Sequence, residues 1–273
     1  MNRSTEMTST QHDGIRQQVR ARYGEIARDE QRGCGCAPSC CTPGGGNLAA
    51  TDATTLGYSA EDLANAPEGS ELGLGCGNPT AIASIQPGET VVDLGSGAGF
   101  DCFLAARRVG EHGKVIGVDM TPDMISKARA NAGKAGYANV EFRLGEIEAL
   151  PVPDGIADLI LSNCVVNLSP DKARVYREAF RVLKPGGRLA ISDIVALQPI
   201  PPALKTDLAA YTGCVAGAAS PAELEEMLTA AGFAEVRVDV KAASRGFIDD
   251  WIPGQKAGDF VASANITGRK PHD

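Results

Sequence analysis

Between residues 90 and 240 the chain alternates short apolar runs with amphipathic stretches. TVVDLG (90–95) predicts a buried strand, followed by a Gly-rich turn and the helix FDCFLAARRV. KVIGVDM (114–120) predicts the next strand, and Thr121-Pro122 supplies an N-cap and a first-turn proline for a helix over 122–135. NVEFRLG and ADLILSN read as the third and fourth strands. A helix over 170–183 ends before Lys184-Pro185-Gly186-Gly187, and RLAISDIV forms the fifth strand. Ser220-Pro221 with Glu223 opens a capped helix that stops at Gly232, and EVRVDVK and FVASANI close the pattern. Apolar strands alternating with helices predict an α/β fold, a mostly parallel sheet with helices on both faces.

Upstream, Ile15, Val19, Ile26 and Ala27 mark a helical stripe over 14–28. GCGCAPSCCTPGGG (33–46) reads as an irregular loop, and Ser59 with Asp62 as a capping box for a short helix ending near Pro67. The organisation expected is an N-terminal helix and Cys-rich loop over 1–69, a ligand-binding domain over 70–241, and a C-terminal tail with a closing strand over 242–273. Composition adds limits: 43% hydrophobic and 22% charged residues fit an ordinary globular chain. The net charge of −8 leaves no basic surplus for nucleic acid. The polar N-terminus and the lack of an apolar run near the ~20 residues of a spanning helix point to no membrane and a cytoplasmic location.

V-V-D-L-G-S-G-A-G-F lies between a strand and a helix, where Gly95, Gly97 and Gly99 permit a tight turn and close approach of a ligand to the backbone. Bulky Phe100 stands where a dinucleotide fingerprint wants Gly or Ala. Asp93 suits a cationic amino-acid group, and Asp119, closing the second strand, suits ribose hydroxyls. The competing reading of both acids is loop capping, and of Glu146 a solvated loop acid. The turn, Asp119 and Gly145-Glu146-Ile147 resemble the Rossmann-like class I methyltransferases over roughly residues 70–240. The resemblance implies S-adenosylmethionine, bound by Asp93, Gly95, Ser96, Gly97, Gly99, Asp119, Met120, Gly145, Glu146, Ile147 and Asn163.

Eight cysteines, at 34, 36, 40, 41, 76, 102, 164 and 214, suggest thiol or soft-ligand chemistry in a reducing cytoplasm. Cys164 ends the fourth strand beside the expected cleft, Cys214 follows the fifth, and Cys76 lies in LGLGCGNP before the first. Each read alone is more often a packing residue than a ligand, least so Cys164 on the ligand-facing edge, and Cys102 is read as packing. His12, His112 and His272 read as surface residues, so a general base is scarce. An acceptor with its own lone pair needs only alignment. LGLGCGNP, SNCVVNLSPDK, RVLKPGG and YTGCVAGA, with the Gly-rich turn and GVDMTPDM, resemble the arsenite methyltransferases. That resemblance implies an arsenite substrate bound by Cys164 and Cys214. Cys76 and one N-terminal cysteine, taken as Cys41 or its neighbour Cys40, complete the set and reduce oxidised arsenic by forming a disulfide. A thiol reductant of thioredoxin or glutathione type would restore them.

Two alternatives stand beside it. A methyltransferase with a carbon acceptor, such as a quinone, explains the cofactor turn and leaves the cysteines unused. A non-catalytic metal or metalloid trap would use C-x-C-x3-C-C, whose first spacing is tighter than zinc's usual C-x2–4-C.

Overall fold

Strand β1 (Thr90–Leu94) is buried at four of its five positions, and β4 (Ala157–Asn163) at five of seven. Such runs can exist only between two covering layers. A computed structural model of the chain describes residues 9–29, 51–201, 214–251 and 256–272. Its elements are α1 (Ser9–Arg28), α2 (Ala60–Asn65), α3 (Pro79–Ile82), β1, α4 (Phe100–Val109), β2 (Lys114–Asp119), α5 (Pro122–Ala135), β3 (Val140–Leu144), β4, α6 (Lys172–Val182), β5 (Leu183–Ala196), α7 (Pro221–Ala230), β6 (Ala234–Lys241), α8 (Arg245–Asp249) and β7 (Val261–Arg269). The sheet order is β3-β2-β1-β4-β5-β7-β6. β3 through β5 run parallel, while β7 is antiparallel to both its neighbours. The chain winds outward from β1 in one direction and from β4 in the other, so a crevice opens between their carboxyl ends. One core cluster on the sheet contains Ile160, Tyr176 and Leu189, another Phe103, Leu159 and Leu161.

Three features refine the sequence expectation. Lys184-Pro185-Gly186-Gly187 does not precede the fifth strand but lies within it. Leu183 pairs with Ala157 and Arg188 with Leu159, so the four residues bulge outward, and Gly186 and Lys270 tie the bulge to the C-terminal segment. The closing strand expected in 242–273 is β7, which pairs with β5 over nine positions and lies inside the sheet between β5 and β6. Trp251 is buried and donates from Nε1 to Thr51 Oγ1 at 2.9 Å.

Helix α1 lines the crevice and is held there by charge as well as packing. Arg16 reaches Glu146 at 3.3 Å and the buried Glu148 at 3.2 Å, while Arg20 pairs with Glu146 and Arg28 with Asp123. Ser169 Oγ also donates to Glu148 at 2.7 Å. Removing one member of a buried pair strands the other charge. Arg16→Ala is therefore expected to release α1 locally. Hydrogen exchange of the 9–28 amides should rise by about tenfold or more, the equivalent of about 1.4 kcal/mol, before the sheet amides respond.

Candidate functional site

The cavity at the carboxyl ends of β1, β2 and β4 is walled by Gly95, Ser96, Gly97, Asp119, Met120 and Ile147, with Asn163, Cys164 and Cys214 at one end. Val19, Tyr23 and Ile26 of α1 close it from above. Gly97 has φ 52°, and a Cβ there would meet nothing within 4 Å, so its backbone faces open space. Gly95 has φ 70°, and an added methyl would overlap both γ-methyls of Val165. A Cβ on Gly99 would sit 2.7 Å from the Phe103 and Phe142 rings; this glycine serves packing and does not reach the cavity.

The wall presents polar groups that await a ligand. Ser96 is 7% exposed, and its Oγ has no hydrogen-bond partner among the described residues. Asp119 accepts the Gly97 N–H on Oδ2 (3.0 Å), the Thr121 N–H on Oδ1 (2.8 Å) and the Thr121 hydroxyl, which leaves the carboxylate some acceptor capacity. Burial, reinforced by the charge of Asp101, pushes the Asp93 carboxyl well above the usual carboxylate range. A cationic ligand group would reverse that penalty. These groups fit a nucleoside cofactor carrying hydroxyls and a positive amino-acid end.

Several expected cofactor residues have other duties. Gly145 donates its N–H to the Asp119 carbonyl at 3.0 Å and Glu146 pairs with α1; neither lines the cavity. Asn163 lines it, but its side-chain N–H groups go to Tyr58 Oη (2.9 Å), the Gly77 carbonyl (2.9 Å) and Asp101 (3.2 Å), while its Oδ1 accepts the Cys76 N–H at 3.2 Å. It organises the wall rather than offering a free amide. Tyr58 Oη donates to Asp101 at 2.7 Å, and burial raises the Asp101 carboxyl to about 6. Cys102 is buried and donates its thiol to Asp93 at 3.2 Å.

Sulfur gathers at the end of the cavity next to β4 and β5. Cys164 follows β4 with φ 58°, its N–H bonded to the Ser192 carbonyl at 2.8 Å. Cys214 has φ 63° and donates its thiol to the Cys164 carbonyl at 2.8 Å. The Cys164 thiol is hydrogen-bonded to those of both Cys76 and Cys214. Cys76 is brought in by its flanking glycines: a Cβ on Gly75 would meet the Asn163 amide at 3.1 Å, and one on Gly77 would meet Ser192 at 2.8 Å. The ligand atoms of Cys76, Cys164 and Asp193 all lie within 4.8 Å of one another. Burial pushes the Cys76 thiol up to about 11 and Cys164 well above its ordinary value; for Cys214 the hydrogen bond to Cys164 does so first, then burial. Each shift favours the protonated thiol over the thiolate. Cys34, Cys36, Cys40 and Cys41 lie outside the described residues. Sequence reasoning missed Tyr23, Glu148 and Asp193; only Asp193, an acid inside the apolar run ISDIV, carried a visible signal.

A family model described as "Methyltransferase domain" matches residues 85–232. An arsenite methyltransferase of Halobacterium salinarum is 51% identical over 263 residues, 94% of this chain and 66% of the relative. One from Aquipseudomonas alcaligenes is 43% identical over 63% of this chain and 51% of its own length. The chain thus spans between about half and two thirds of these curated relatives. The crystal structure of an arsenic(III) S-adenosylmethionine methyltransferase from Chlamydomonas reinhardtii superposes with a TM-score of 0.58 at 33% identity, covering 80% of this chain and 72% of that one.

The wall geometry separates two glycine variants. Gly95→Ala adds strain and a steric overlap and is expected to lower unfolding free energy by about 2–4 kcal/mol in denaturant titration. Gly97→Ala should cost less stability while weakening nucleoside-cofactor binding in calorimetry, because its methyl enters open cavity space. Tyr58→Phe removes a donor from buried Asp101. Its cost, about 1.5–3 kcal/mol for a hydrogen bond to a charged group, should be full at pH 8, where the carboxyl is ionised, and shrink at pH 5, where it is protonated. Unfolding curves at the two pH values check this.

Proposed function

Because this chain belongs to the methyltransferase-domain family, we propose that it transfers methyl groups from S-adenosylmethionine to trivalent arsenic held by Cys76, Cys164 and Cys214. One observation carries this reading: Cys164 and Cys214 line the cavity that also offers Ser96, Gly97 and Asp119, and Cys76, from a third segment, is hydrogen-bonded to Cys164. S-adenosylmethionine, when bound, supplies an electrophilic methyl group on a sulfonium. Asp119 would receive its ribose hydroxyls, and Asp93 its cationic end.

The protein's part begins with the substrate. Each thiol displaces one hydroxyl of arsenous acid: an S–H and an As–OH bond become an As–S bond and water. Soft sulfur ligands favour the soft metalloid. Three such ligands occupy one hemisphere and leave the arsenic lone pair on the other, so no base must remove a proton from the acceptor. No histidine lines the cavity among the described residues, in keeping with that chemistry. The contribution of the chain is then orientation and exclusion of water, with α1 as the roof. Alkylation consumes the lone pair and raises the formal oxidation state of arsenic by two. The thiol of Cys41 or Cys40 then attacks the Cys76 sulfur: the As–S bond to Cys76 breaks and leaves its electron pair on arsenic, the attacking thiol's proton goes to solvent, and the resulting disulfide is reopened by a thiol reductant of thioredoxin or glutathione type. This chemistry belongs in a reducing compartment such as the cytoplasm. Among the described residues no helix is long and apolar enough to cross a membrane. A carbon acceptor would leave the thiol cluster without a task.

Incubation with arsenite, S-adenosylmethionine and a thiol reductant is expected to yield methylated arsenicals by arsenic speciation; their absence from cofactor-competent protein refutes the reading. Cys164→Ser should lower turnover by about 100-fold or more while retaining cofactor affinity. Replacing Cys40 and Cys41 together should harm turnover more than replacing Cys34 and Cys36 together.

A further inference from the structure

Asp193 has no task in the chemistry above, yet it is buried at 1% exposure against the thiols. It enters from β5, the strand that also carries Ser192, whose carbonyl accepts from Cys164 N–H. Its two oxygens are unequally used. Oδ1 accepts from Asn167 Nδ2 at 2.8 Å and from the Ile194 N–H at 2.7 Å, which fills both lone pairs. Oδ2 accepts a long bond, 3.3 Å, from the Asn167 N–H, and the Val166 N–H also donates to the carboxylate. The carboxylate is therefore fixed by donors behind it, with Oδ1 the more tightly held oxygen, the arrangement of a ligating carboxylate with its supporting hydrogen bonds.

We propose that Cys76, Cys164 and Asp193, with Cys214 at the fourth corner, form a tetrahedral site for a divalent d10 cation such as zinc or cadmium, which competes with arsenic for the shared thiols. Tetrahedral zinc, with bonds of about 2.3 Å to sulfur and about 2.0–2.2 Å to oxygen, requires ligand atoms roughly 3.5–3.8 Å apart. Atoms already within 4.8 Å of one another need only small side-chain rotations to reach that spacing. Cys214 lies outside that 4.8 Å group but is hydrogen-bonded to Cys164, and supplies the further sulfur by turning toward it. The two occupants differ in geometry. Trivalent arsenic takes three sulfurs and keeps its fourth direction for a lone pair, so a hard carboxylate adds nothing. A d10 cation has no lone pair there and wants a fourth donor, which Asp193 supplies. Three thiolates and a carboxylate around a divalent cation leave excess negative charge, and Lys172 lies close enough to Asp193 and Cys214 to offset part of it. Binding releases the thiol protons to solvent and involves no change of oxidation state. The competition rests on the arsenite reading; the cation site itself does not.

The test uses the full chain with Cys34, Cys36, Cys40 and Cys41 replaced by Ser, so that only the inner thiols can respond. Cadmium is titrated under reducing conditions and followed by its thiolate charge-transfer absorption, with arsenite binding measured in parallel. One cadmium per chain is expected. Asp193→Asn, which keeps an acceptor for Asn167 and Ile194, should weaken cadmium by about 10–100-fold and leave arsenite affinity unchanged. Equal cadmium affinity in the two proteins, or no cadmium bound, overturns the proposal. Should the Asn variant not fold, cadmium NMR of the parent decides: three sulfurs and one oxygen support the site, and an all-sulfur shell overturns it. Cadmium binding that depends on Asp193 in a protein that ignores arsenite would sink the arsenite reading and leave the cation site standing.

Discussion

The site depends on a backbone constraint: two non-glycine residues, Cys164 and Cys214, are held in the left-handed region at φ 58° and 63°. That conformation costs on the order of 1–3 kcal/mol per residue and persists only where the surroundings over-determine it. Here they do. Cys164 is pinned by the Ser192 carbonyl, and Cys214 by the carbonyl of Cys164. The turn after Cys214 packs so closely that the backbone of Asn167 leaves no room for a side chain at Gly217. Released from these bends, the two sulfurs would follow their own segments. Held by them, they face Cys76 and the cavity.

The sheet was legible because strands covered on both faces leave continuous apolar runs, and the caps at Thr121-Pro122 and Ser220-Pro221 stand where α5 and α7 begin. The Gly-rich turn was also legible as a ligand-side turn, but not the division of labour inside it. Gly97 faces space, Gly95 makes room for Val165, and Gly99 makes room for two aromatic rings. Distant partners left no local trace. Arg16 meets Glu148 across 132 residues, so nothing in the helical stripe of α1 announces that it roofs a cavity. The same distance effect hides Asn163, whose amide looked free in SNCVVNL and is spent on Tyr58, Gly77 and Asp101. The bulge at Lys184-Pro185-Gly186-Gly187 carries turn residues, and local chemistry cannot say that the strand resumes the same ladder.

Burial sets the electrostatics of both halves of the cavity. Asp93 and Asp101 sit where ionisation is penalised, which prepares one half for a cation. The thiols sit where thiolates are penalised, which keeps them protonated until a soft centre replaces the proton. The roof helix matters to both, since it excludes the water that would weaken these effects. The scaffold therefore places buried carboxyls and buried thiols along one cavity.

X-ray absorption at the arsenic edge of the reduced protein, with the four N-terminal cysteines replaced by Ser and one equivalent of arsenite bound, tests the convergence of the thiols most directly. Three sulfur neighbours and no oxygen in the first shell is the expected result. Retained arsenic–oxygen bonds, or two sulfurs only, would contradict a site built from Cys76, Cys164 and Cys214 together.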